Sequence, residues 1–520
     1  MKTSVHRAVW IAATVVVTSA ASLQPQERFD LVIRNGRVMD GSGNPWVRAD
    51  VGIRGDRIAA IGRLPGAGAA RTVDARGRVV APGFIDVHSH AGETLAREEL
   101  RQARPILAQG VTTIVINPDG GGPVDLAAQG RSLEEGGIGP NVAQLVGHGS
   151  VRREVLGEAN RAPAPDELER MRDLVRTAMA GGAYGLSSGL FYAPASFAAT
   201  DELVALAEVA GQHGGVYSSH IRDEGNYTIG LIAAVQEVIR IADEAGVRGV
   251  VSHMKALGPD SWGLSMAMTT RIEQARARGV AVFADQYPYD ASSTSLRAAL
   301  VPGVTELPAA GRDAAMLEAT VRENIRRRGG ATSIRIAFYA PDPSLQGRTL
   351  AQIAASRGVS SETAALEIMR RGNASIVSFN MSEEDIRHIM RQPYTMASSD
   401  GALVPPGAGH PHPRNNGAFA RRLAVYVRER GVIGLEFAIR SMTSLPASVF
   451  DMPDRGIIRE DAAADIVIFD PAAVRDRATY DDPHQLAEGM SYVIVNGLVV
   501  LDEGTFTDKL PGRVLRHASR

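Results

Sequence analysis

Ala81-Pro-Gly-Phe-Ile-Asp-Val-His-Ser-His90 is an apolar run that closes on two histidines spaced two residues apart. Read as a strand from Phe84 to His90, its side-chain period of two turns His88 and His90 to one face, where two imidazoles can share one metal ion. A lone His-x-His also suits buried histidines with satisfied hydrogen bonds. The ligands that would complete a metal site have to come from elsewhere in the chain.

On either side of this run the pattern changes. From Phe29 to Val80, short β-rich segments are broken by Asn35-Gly36 and Gly55-Asp56, turn residues that accept positive φ between alternating strands. Asp465-Ile-Val-Ile-Phe-Asp470 and Tyr492-Val-Ile-Val-Asn-Gly-Leu-Val-Val500 repeat the style near the C-terminus. Residues 27–80 and 453–520 are therefore predicted to form one small β-sandwich domain. Between them, over 81–452, strand-like runs alternate with helical ones such as Asp166–Arg176 and Ile229–Ala245. Strand ends are predicted near His90, Asn117, Gly147, Ser188, His220, His253, Tyr287 and Ser399, which makes eight. The predicted fold class is α/β, a (β/α)8 TIM-like barrel. About 296–380, between the seventh and eighth strands, is too long for a crossover helix and is predicted to hold an inserted subdomain.

The chain has 520 residues, with 56 Lys and Arg against 58 Asp and Glu, and so offers no basic surface for nucleic acid. A small-molecule partner is expected instead. Lys2 and Arg7, the apolar run Ala8–Val17 and the small residues from Ser19 to Ser22 follow the order of a secretory signal peptide. Residues 1–22 are read as that peptide, and a secreted or periplasmic protein without a membrane span after its removal is expected. Cysteine is absent, which excludes disulfides, thiolate ligands and a thiol nucleophile.

A barrel gathers the groups at the C-terminal ends of its strands. His88, His90, Asp119, His220, His253 and Asp400 all fall there, and imidazole with carboxylate suits one or two divalent ions such as zinc. These residues resemble the N-acyl-D-amino acid deacylases, or D-aminoacylases, of the metal-dependent amidohydrolase superfamily. The similarity runs through Ala81–His90, Gly110-Val-Thr-Thr, Leu145-Val-Gly-His-Gly-Ser-Val-Arg, Gly185-Leu-Ser-Ser-Gly-Leu, Ser219-His-Ile-Arg-Asp-Glu-Gly, Ser252-His-Met-Lys, Tyr287-Pro-Tyr, Ser398-Ser-Asp-Gly, His412-Pro-Arg and Ala464-Asp-Ile-Val-Ile-Phe-Asp.

The resemblance implies that His220 and His253 hold the tighter metal, that His88 and His90 line a second or weaker position, and that Asp400 is the catalytic acid/base. A metal that lowers the pKa of bound water towards about 7 makes hydroxide available to attack an amide, and a carboxylate can shuttle the proton. It also implies that Lys255, Tyr287, Ser293 and Arg414 contact the substrate's free carboxylate. Lys255 is the sole lysine of the barrel, since the others are Lys2 and Lys509; a carboxylated lysine on the fourth strand is thereby excluded. An ion pair with a barrel carboxylate is the other reading of Lys255, and packing the other reading of Tyr287 and Ser293.

Where the family commonly carries an Asn-Cys-Gly ligand, this sequence has Asn117-Pro-Asp-Gly120. Asp119 is either the replacement ligand or a turn residue. A hard carboxylate there would admit manganese or cobalt beside zinc. His148 is expected in a hydrogen-bonding role behind the ligands, Arg222, Asp223 and Glu224 as braces of the loop after His220, and Val404–Pro413 as a substrate lid or a surface loop. The expected reaction is hydrolysis of the amide of an N-acyl amino acid, with a dipeptidase or cyclic-amide hydrolase as the alternative, and a non-catalytic barrel of the same type as a third.

Overall fold

The alternation that follows Phe84 resolves into eight short strands: Phe84–Asp86, Val111–Ile116, Asn141–Gln144 with its continuation Val146–Gly147, Gly185–Gly189, Val216–His220, Arg248–Val251, Val282–Gln286 and Thr395–Ala397. The computed structural model describes residues 28–304, 307 and 312–518, so the predicted signal peptide lies outside the described residues. Neighbouring strands pair in parallel and in chain order. The first and eighth meet at a parallel bridge between Ser89 and Gly401, and Asp400 N–H donates to the His88 carbonyl at 2.9 Å. The sheet thus returns to its own start.

Strands covered on both faces are buried along their length, and every residue of Val111–Ile116 is buried. The helices between them are amphipathic. Leu231–Glu244 buries Leu231, Ala234, Val235, Val238, Ile239, Ile241 and Ala242 at helical spacing. Pro165–Ala180 starts with proline in its first turn and with the Glu167 carboxylate accepting from Ala164 N–H at 2.7 Å. Among the described residues no helix is long and apolar enough to cross a membrane.

Seven strands end within two residues of the positions expected from sequence, but the first stops at Asp86, short of His90. The cause is tertiary. Asp86 Oδ1 accepts from the N–H groups of His88 at 3.2 Å and Ser399 at 2.9 Å, and Asp86 Oδ2 accepts from the Ser399 hydroxyl. The chain bends there towards the eighth strand, and His90 opens the short 3-10 turn His90–Glu93.

Both chain ends enter one mixed sheet of nine strands, built from Arg28–Val38, Val47–Arg54, Arg57–Gly62, Gly68–Asp74 and Val79–Pro82 with Ile466–Phe469, Met490–Val495, Leu498–Asp502 and Thr505–Phe506. Val79–Pro82 pairs antiparallel with Ile466–Phe469 and runs directly into the first parallel strand. The final residues leave this sheet: Leu515 N–H donates to Val142 O at 2.7 Å and His517 N–H to Gly182 O at 2.9 Å. Between the seventh and eighth strands, Ser292–Ser295, Ile334–Phe338 and Ser375–Ser378 form an antiparallel sheet with the helices Arg312–Arg327, Leu350–Arg357 and Ser361–Arg371 around a separate apolar cluster.

Candidate metal centre

Seven of the eight parallel strands, all but the third, bring residues at or shortly after their ends to one cavity of about 700 Å³. His88, His90, Asp119 and Asp400 offer ligand atoms within 4.8 Å of one another, and so do Asp119, His220 and His253. Asp119 belongs to both groups. Its Oδ1 lies 3.4 Å from His88 Nε2 and 3.5 Å from His253 Nε2, and its Oδ2 lies 3.4 Å from His90 Nε2 and 3.8 Å from His220 Nδ1.

The backbone is held in unusual conformations to make this possible. Asn117, Asp119, His253 and Asp400 all have positive φ, at 62°, 57°, 34° and 48°, and non-glycine residues persist there only where their surroundings fix them. Gly120 next to Asp119 has φ 73°, and a Cβ there would meet Gly189 N at 2.9 Å, so the turn after the second strand lies against the fourth. Ser187 Oγ locks it by accepting from Gly120 N–H at 3.1 Å and donating to Asn117 O at 2.7 Å. Asp119 is therefore both a turn residue and part of the cluster.

Buried polar atoms normally carry a hydrogen bond, yet neither His88 ring nitrogen nor Asp119 Oδ1 has a partner. His220 Nδ1 and His253 Nε2 face each other at 2.9 Å. A set of imidazole and carboxylate donors converging with unfilled hydrogen-bonding capacity fits a divalent cation. The electrostatics agree. Burial alone would raise the Asp119 carboxyl, but the imidazoles of His88 and His253 beside it hold it well below the usual range. Burial opposes charge on His90 as well, and the Asp119 and Asp400 carboxylates outweigh it to push the imidazole up to about 10. His220 is lowered by burial. Asp400 is held low against its burial by Arg414, whose Nη1 sits 2.7 Å from Asp400 Oδ2.

The four residues expected at the substrate carboxylate all line the cavity. Tyr287 lies under both cations, with the Arg414 guanidinium 4.6 Å and Lys255 Nζ 5.6 Å from its ring centroid. The cations have protein partners, however: Arg414 faces Asp400, and Lys255 Nζ donates to Glu224. Lys255 thus realises the ion-pair reading in this structure.

Glu224 corrects an expectation. Arg222 and Asp223 brace the loop, Arg222 by a fork to Glu237 and Asp223 by accepting from Gly225, Thr228 and Gly230 N–H. Glu224 turns inward instead, with Oε1 on Lys255 Nζ and 3.0 Å from His253 Nδ1. Its carboxyl is held low against burial by Lys255, His220 and His253. Asp86 was also missed, although an acid inside an apolar run was its signal. Burial pushes its carboxyl up to about 6 against the hydrogen bonds from Ser399.

His148 does not join the cluster: its Nε2 meets Glu202 Oε1 at 2.9 Å, and Glu202 also receives Arg152. In the loop Val404–Pro413, Val404, Pro405, Ala408 and Pro411 line the cavity. His412 is neutral, lowered by burial and by Arg414; its Nε2 donates to Ala291 O at 2.9 Å and its Nδ1 accepts from Arg414 N–H at 3.0 Å.

The profile of the amidohydrolase family matches residues 71–501. Two relatives from Alcaligenes xylosoxydans xylosoxydans cover nearly everything: an N-acyl-D-glutamate deacylase is 39% identical over 94% of this chain and 97% of its own, and a D-aminoacylase 38% identical over 95% and 99%. The crystal structure of the N-acyl-D-glutamate deacylase from Bordetella bronchiseptica, complexed with zinc and a phosphonate mimic of the tetrahedral intermediate, superposes with a TM-score of 0.83 at 37% identity, over 94% of this chain and all of that one. With this similarity running through the barrel strands and the mixed sheet alike, the chain belongs to the amidohydrolase family, in its N-acyl-D-amino acid deacylase branch.

Proposed function

We propose that this protein hydrolyses the amide bond of N-acyl-D-amino acids with one or two divalent ions, zinc first among them. The observation that carries the reading is the position of Asp119, shared by two ligand groups in the same cavity that Lys255 and Arg414 enter. Asp119, His220 and His253 would hold one ion, and His88, His90, Asp119 and Asp400 the other. A bound divalent cation acidifies water towards a pKa of about 7 and polarises an amide carbonyl. The carboxylate donor at Asp119 leaves manganese and cobalt as workable substitutes.

The residues of the chain divide the remaining work. Lys255 and Arg414 receive the free carboxylate of the substrate, a point charge and a planar fork, with Tyr287 beneath them and Ser293 in the same wall. Arg414 turned to the substrate loosens its hold on Asp400 and makes that carboxylate more basic. Asp400 then accepts the proton of the attacking water and returns it to the departing nitrogen. Glu224 fixes Lys255 and the Nδ1 side of His253, leaving Nε2 for the cluster.

The test is a panel of N-acyl-D-amino acids, N-acyl-L-amino acids, dipeptides and cyclic amides, run on wild type and Asp400→Asn. Turnover of the first set, abolished in Asp400→Asn with metal still bound, is expected. Turnover confined to dipeptides or cyclic amides would replace the substrate assignment, and full activity of Asp400→Asn would remove its role. Export to the periplasm or beyond belongs to the same proposal, supported by the charged, apolar and small-residue order of residues 1–22. The size of the mature chain in a periplasmic fraction tests it.

A further inference from the structure

Three basic side chains line the cavity deep in the protein: Lys255, Arg414 and Arg328. The first two each face a carboxylate, Glu224 and Asp400. Arg328 does not. It follows the helix Arg312–Arg327 of the inserted segment and is 2% exposed. Its Nη1 donates to Ser378 Oγ at 3.2 Å, and Asn380, with its amide oxygen turned to that side, accepts from the same nitrogen at 3.2 Å. Its guanidinium lies 6.0 Å from the centroid of Tyr227, and its Nε has no hydrogen-bond partner. Every one of these neighbours is neutral, and among the described residues no carboxylate lies within 4.0 Å of it.

Burying a guanidinium without an anion is expensive, because a full charge leaves water and gains only dipoles in return. None of the groups in contact with Arg328 is an acid. Ser378 pairs with Ser292 at the start of the strand that brings Ser293, Thr294 and Ser295 to the cavity, all hydroxyl side chains. Neutral hydroxyls beside a guanidinium can complete the coordination of a bound carboxylate, whose two oxygens take the planar fork. Lys255 and Arg414 already serve the carboxylate next to the scissile amide, so the ion that Arg328 lacks is a different one.

We propose that Arg328 binds a second carboxylate of the substrate, carried either by the amino-acid side chain or by the acyl group. The inference rests on the deacylase reading above and narrows it to dianionic substrates. Steady-state kcat/KM is measured for wild type, Arg328→Met and Arg328→Lys on two matched pairs: N-acetyl-D-glutamate with N-acetyl-D-glutamine, and N-succinyl-D-leucine with N-acetyl-D-leucine.

In wild type one pair shows a preference for its dianionic member, and that pair identifies which end carries the carboxylate. In Arg328→Met the ratio within that pair falls roughly 10- to 100-fold, the size of a lost charge-assisted hydrogen bond, and Arg328→Lys recovers part of it. Because the ratio is taken within one preparation, partial loss of folded protein cancels. Wild-type preference for the neutral member of both pairs, or a ratio that Arg328→Met leaves unchanged, overturns the inference alone. Turnover of none of the four compounds by wild type overturns the deacylase reading and the inference together.

Discussion

At the scale of single residues, Asp119 and Glu224 carry opposite lessons. Asp119 joins the two ligand groups, so its loss opens both. Asp119→Ala is expected to purify with less metal than wild type by elemental mass spectrometry, while Asp400→Asn keeps the ion held by Asp119, His220 and His253. A full metal complement in Asp119→Ala would leave that residue only its turn. Glu224→Gln removes the charge that holds Lys255 and orients His253, and partners of this kind typically contribute about 10–100-fold in metal affinity or activity. A drop in kcat/KM with an altered zinc dissociation constant is expected, and unchanged values for both would make Glu224 a spectator. The histidines were readable because each stands where an apolar run ends, a position that a barrel turns towards its mouth. Glu224 was not, because Arg-Asp-Glu in a row reads the same whether a side chain caps a loop or enters a cavity. Only the fold separates Asp223, satisfied by three backbone N–H groups, from its neighbour.

Elements show where local pattern stops deciding. Most strand ends could be read from the polar punctuation after each apolar run, but the end of the first depends on Asp86, whose acceptors are filled from the eighth strand more than three hundred positions away. A strand that closes a ring answers to a neighbour remote in sequence, and no periodicity reports that. Asp86→Ala would strand two buried N–H groups, those of His88 and Ser399, together with a buried hydroxyl. A cost of about 1–3 kcal/mol per unsatisfied group applies to each, and denaturant unfolding is expected to show a clear loss of stability. The same variant should bind metal more weakly, since His88 and Asp400 flank the broken link. A variant as stable as wild type would show that the closure depends on packing alone. Between the seventh and eighth strands the surplus of length was legible, while the contribution of Arg328 to the cavity was not, because the antiparallel strands there have no fixed register to the barrel in the sequence.

For the whole molecule, the question is what couples the mixed sheet to the barrel, and one buried network answers it. Asp465 Oδ2 accepts from Asn141 Nδ2 at 3.0 Å, on the third parallel strand, and from Arg455; its Oδ1 accepts from Asn496 N–H at 2.7 Å, in the mixed sheet. Asn496 Nδ2 donates in turn to Asn141 Oδ1 at 2.7 Å and to Pro511 O at 2.8 Å, at the start of the segment that returns to the barrel. A single carboxylate therefore touches both units and neutralises the buried Arg455, while Asn496 ties the C-terminal link into the same network. Removing one partner of a buried ion pair leaves a charge uncompensated, at a cost of about 3–5 kcal/mol. Asp465→Ala is expected to lower Tm by several degrees and to split or broaden the calorimetric transition, because the two units then lose the carboxylate that bonds to both. Catalysis at 25 °C should survive in the folded fraction, since Asp465 is absent from the lining of the cavity. A single sharp transition at the wild-type Tm would mean that apolar packing joins the units without it. A fall in kcat/KM at unchanged Tm would instead make the network a path from the mixed sheet to the third strand.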